Sequence, residues 1–61
     1  MTNEILIQTI HQARQTETIL TDAFLENRVP ENDVIVAMGS VDILVEMAID
    51  RGLIHAPFDE I

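Results

Sequence analysis

The stretch Val29–Gly52, VPENDVIVAMGSVDILVEMAIDRG, decides the fold. It is the most apolar part of the chain and carries its clearest start and stop signals. Val29 precedes a proline and is biased away from helical geometry. Pro30 suits the first turn of a helix, where its missing N–H costs nothing. Glu31 and Asp33 follow where the helix dipole favours negative charge. At the other end, Gly52 follows Arg51 and can take the left-handed conformation of a C-terminal cap, with Leu53 at the position of that motif's apolar contact. Together these signals predict a helix over about 31–51.

Placed at 100° steps, Val34, Ala37, Met38, Val41, Leu44, Val45 and Ala48 fall on one wide apolar face. Val36, Ile43 and Met47 extend it on one side and Ile49 on the other. The apolar arc spans roughly 240°, where a surface helix needs little more than 100°. One covering helix is too little for such an arc, so a second neighbour is expected, either another chain or the C-terminal tail. Val34, Met38, Val41, Leu44, Val45 and Ala48 are the expected oligomer interface. Gly39-Ser40 interrupts the helix, and an interior glycine costs about 0.5–1 kcal/mol relative to alanine. The alternative is a short strand over 33–38 followed by a shorter helix capped by Ser40, since Val-Ile-Val favours strand locally. A lone strand would lack a partner in the chain, and the continuous helix is preferred.

Upstream, residues 4–28 contain no glycine or proline. Leu6, Ile10, Ala13, Leu20 and Phe24 recur at helical spacing. Thr2 or Asn3 can cap this helix and Glu4 suits its positive end. Glu17 interrupts the apolar stripe: it either reaches water at the rim, pairs with Arg14 one turn earlier, or forms a polar layer that sets register. The short connection Asn27–Pro30 makes the two helices antiparallel neighbours. Downstream, Pro57 stops any further helix. Leu53, Ile54, Phe58 and Ile61 are expected to fold back over a helix end, the alternative being a free segment that docks into a partner. The expected architecture is all-α: one domain over 1–61, a helical hairpin that associates as a homodimeric four-helix bundle.

Length and charge narrow the function classes. A 61-residue chain is marginal alone and usually needs a disulfide, a metal, self-association or very good helix packing. It has no cysteine, which removes disulfides and thiolate metal sites. The net charge is −8, with Arg14, Arg28 and Arg51 as the only formal cations besides the amino terminus. Three scattered arginines do not make a patch for a phosphate backbone or an anionic membrane. Direct nucleic-acid and membrane binding are therefore not expected, whereas a basic protein partner is compatible with the charge. No run approaches the ~20 apolar residues of a membrane span, and a cytoplasmic location is the default expectation.

No motif for catalysis stands out. His11 and His55 have no second histidine or cysteine at ligand spacing. There is no calcium loop, no phosphate-binding glycine loop, and no aromatic platform for bases. No metal, cofactor or enzymatic activity is expected. The one surface constellation is Asp42, Glu46 and Asp50, at i, i+4 and i+8 on the narrow polar strip of the second helix. They are the expected contact for a partner protein. Three functions follow as expectations: a small acidic regulator or inhibitor that binds another protein; a nucleic-acid mimic that occupies the site of a basic protein; or an assembly subunit whose chief partner is itself.

Overall fold

Thr2 opens the first helix with its side-chain oxygen, which accepts the N–H of Ile5 at 3.2 Å. In the computed structural model, which describes residues 1–59, helix α1 runs over Asn3–Leu25 and helix α2 over Glu31–Asp50. The two pack against each other as an all-helical hairpin. Helix α2 is continuous through Gly39-Ser40, so 33–38 is helix and not strand. A Cβ built on Gly39 meets nothing within 4 Å, so no neighbouring group within the hairpin requires a glycine there. Gly39→Ala is therefore expected to raise stability by about 0.8–1.0 kcal/mol, the helix-propensity difference. That corresponds to roughly 4–8 °C in Tm for a domain of this size, measurable by thermal melting followed by circular dichroism.

Both helices end in the same way. Asn27, with φ 60°, stands at the left-handed position after α1, and Gly52, with φ 72°, stands there after α2. The N–H groups of Asn27 and Arg28 return to the carbonyls of Phe24 and Ala23 at 2.9 and 2.8 Å. Those of Gly52 and Leu53 return to Ile49 and Ala48, both at 2.9 Å. These paired bonds are Schellman motifs. The first stops α1 three residues before the 28 expected from its pattern, because Asn, like Gly, tolerates the left-handed region. Pro30 forms the extended N-cap residue of α2, and its carbonyl accepts the N–H of Asp33 at 3.1 Å. Val29 and Val34 occupy the two positions of a hydrophobic staple; Val34 is buried and Val29 half-buried.

The core is concentrated at one end. Leu6 and Ile10 of α1 are fully enclosed and cluster with Val41, Val45 and Ala48 of α2 and with Ile54 of the tail. Leu53 and Ile49 pack on the edge of this cluster. The tail therefore does fold back and supplies a second neighbour for α2, as its apolar residues led us to expect. Arg14 donates to the carbonyl of Pro57 at 3.3 Å. Asp59 accepts the N–H groups of His55 and Ala56 at 2.9 and 3.0 Å. Phe58 does not join the core and is 86% exposed; Ile61 lies outside the described residues. Arg51 ties the far end of α2 to the start of the chain, donating to the carbonyl of Met1 at 2.7 Å and to Asn3 Oδ1 at 3.1 Å.

Glu17 is half-buried, and no charged or polar residue among the described ones is buried. It thus sits at the rim, and within the hairpin there is no buried polar layer. Arg14, one of the alternatives considered for it, donates to the tail. Arg28 pairs with Glu26 at 2.8 Å, both well exposed, and a pair of that kind adds little stability.

Candidate protein-binding surface

The tail covers only the end of the hairpin where the chain starts. Among the described residues no third element lies over the half nearer the 26–30 connection, and there the helices leave an open groove of ≈ 450 Å³. Ala13, Thr16 and Leu20 line one wall, and Val36, Ala37 and Ser40 the other, with Asp33 beside them. On α2 the groove widens into an exposed apolar flank, where Val36 is 60% and Ile43 64% exposed. The hydroxyls on this side do not present free hydrogen-bonding capacity of the ordinary kind. Thr16 donates to the Gln12 carbonyl at 3.0 Å, Thr9 to Ile5 at 2.7 Å and Ser40 to Val36 at 3.1 Å. Each hydroxyl hydrogen is directed to its own helix one turn back, which leaves the oxygen as an acceptor.

Six residues of α2 were expected to meet a second chain. Within the single hairpin Val34, Val41, Val45 and Ala48 are buried, Leu44 is half-buried, and Met38 is half exposed. The physical reason is that α1 and the tail between them take the centre of the wide arc. What remains exposed is its margin, Val36 and Ile43 on the groove side and Met38 on the opposite side, while Ile35 is exposed within the acidic strip. The position of a groove between two helices depends on their relative rotation, which a single-helix pattern does not contain.

Asp42, Glu46 and Asp50 are all exposed, as their line on α2 requires. By 100° steps this ridge lies about 130° around α2 from the groove wall. A shallow concavity is lined by Glu46, Ile49 and Asp50. Asp50 occupies the last residue of α2, where the helix dipole opposes negative charge. His11 and His55 are exposed on α1 and in the tail. No group of three metal-binding side chains is present among the described residues, and no described helix is long and apolar enough to cross a membrane.

Compared with protein-family models, curated proteins and solved structures, the chain matches none.

Proposed function

We propose that this chain is a small non-enzymatic regulatory or inhibitory protein that works by binding other proteins, as a homodimer forming a four-helix bundle. The observation that supports this reading is the segregation of two surface characters on one short hairpin. One side of α2 joins α1 in an exposed apolar face; another carries the row Asp42, Glu46 and Asp50. Neither belongs to an enclosed pocket of the kind that holds a reacting substrate.

The acidic ridge has a cost within the hairpin. Carboxylates at i, i+4 and i+8 repel by a few tenths of a kcal/mol per neighbouring pair, and those near the C-terminus of α2 face the negative end of its dipole. A basic partner protein would offset both terms. The test is capture of partners from the native host by the wild-type chain and by an Asp42→Lys, Glu46→Lys, Asp50→Lys variant. The expected result is a basic protein retained by the wild type, lost by the triple variant, and released as salt rises. Competition by DNA or RNA for that protein would identify the ridge as a nucleic-acid mimic. Retention by both chains would remove the ridge from the mechanism. Capture of nothing would leave an assembly subunit whose chief partner is itself.

A further inference from the structure

We infer that the outer face of α2 around Gly39 is a docking surface for a basic, amphipathic helix of another protein. The inference rests on the protein-binding reading above and adds the shape and chemistry of the partner's contact.

Gly39 stands two positions before the buried Val41, which places it about 160° around α2 from that buried side. Its neighbours one turn away in each direction are Ile35, Val36, Asp42 and Ile43. The three apolar ones are each more than half exposed, and Asp42 is exposed. The space where a Cβ of residue 39 would stand is open. The face therefore carries a notch, with bare backbone for its floor and β-branched side chains around it. A glycine inside a helix weakens that helix, and no packing within the hairpin calls for one here. Its use is close approach from outside. Helices pair by setting a side chain of one into a hole between four residues of the other, and Gly39 deepens such a hole.

The occupant follows from charge. Beyond the notch the same face continues into Glu46 and Asp50. From Ile35 to Asp50 is about 22 Å at 1.5 Å per residue, or roughly four turns of a helix laid along α2. Such a helix would set an apolar side chain into the notch and lysine or arginine against Asp42, Glu46 and Asp50. The chain's own arginines are engaged elsewhere: Arg14 with Pro57, Arg28 with Glu26, and Arg51 with Met1 and Asn3. None of them neutralises the row. A second copy does not fit this face, because each chain carries −8 and a two-fold contact would set the two rows against each other.

The probe is a synthetic peptide of about 18 residues, patterned as a helix with leucine on one face and lysine beside it. A peptide with glutamate in place of lysine is the charge control, and calorimetric titration reads the binding. The wild type is expected to bind the lysine peptide, more weakly as salt rises, and not the glutamate peptide. Gly39→Leu fills the notch. It is expected to melt no lower than the wild type, since leucine is the better helix former, yet to bind the lysine peptide about tenfold more weakly. Gly39→Ala fills less of the notch and is expected to bind about threefold more weakly, which keeps the comparison if Gly39→Leu folds poorly. Ile5→Ala, at an exposed position of α1, is expected to bind like the wild type. Undiminished binding by both Gly39 variants, or a loss in Ile5→Ala, would overturn the notch and leave the acidic row as a contact. A wild type that ignores the lysine peptide would overturn the docking surface, while the capture experiment above decides the regulatory reading by itself.

Discussion

Ile10→Ala is expected to remove a large part of the chain's stability at room temperature. Ile10 and Leu6 are the largest fully buried side chains, and both belong to the single cluster that joins α1, α2 and the tail. Truncating a buried isoleucine costs about 2–5 kcal/mol, from lost transfer energy and the cavity left behind. At roughly 0.05–0.15 kcal/mol per residue, a chain of this length has about 3–9 kcal/mol in total. The substitution therefore removes a large part of what holds the hairpin together. Urea titration followed by circular dichroism measures it. A loss below about 1 kcal/mol would mean that neighbouring side chains collapse into the space, contrary to the enclosed packing around Ile10.

Val45→Glu is expected to be more severe, and its mode of failure is informative. Val45 is 3% exposed within one hairpin. A carboxylate placed there loses its hydration without a partner, at a cost of several kcal/mol that protonation only partly relieves. Were Val45 chiefly an inter-chain contact, as the pattern of α2 led us to expect, the variant would be a folded monomer. Because α1 and the tail already enclose it, the expected outcome is loss of helix signal at every protein concentration. Circular dichroism over a dilution series separates the two outcomes, since a folded monomeric variant would contradict the packing described here.

These two positions show how far the sequence carries. Helix α2 was legible from Pro30, Glu31 and Gly52, and its observed range, Glu31–Asp50, differs from the expected one by a single residue at its end. Helix α1 was legible by spacing, but its end was not, because Asn27 in the left-handed region leaves no periodic signal. The wide arc of α2 was read as needing a second neighbour, another chain or the tail, and within one chain the tail supplies Leu53 and Ile54. Its periodicity could not say which residues each neighbour would take. The tail, only a few residues long, took the side near Ala48 and Ile49 through Leu53 and Ile54, and so moved the open surface outward to Val36 and Ile43. The acidic row was legible because i, i+4 and i+8 fall in line on any helix. The groove was not, since it exists only between two helices.

The uneven distribution of the core has a consequence for how the molecule opens. Leu6, Ile10, Val45, Ala48 and Ile54 lock the end where the chain starts, with Arg51 fastened to Met1 and Asn3. The other end rests on the small residues Ala23 and Ala37 with Val34, under helices whose outer sides carry exposed Leu25 and Val36. Regions with few buried apolar contacts separate at lower free energy than the whole. Backbone amides around 20–37 would accordingly exchange with solvent through partial fraying, while those around Ile10 and Val45 would wait for global unfolding. Anything seated against the frayed end would slow that exchange selectively, so amide protection there reports occupancy as well as stability.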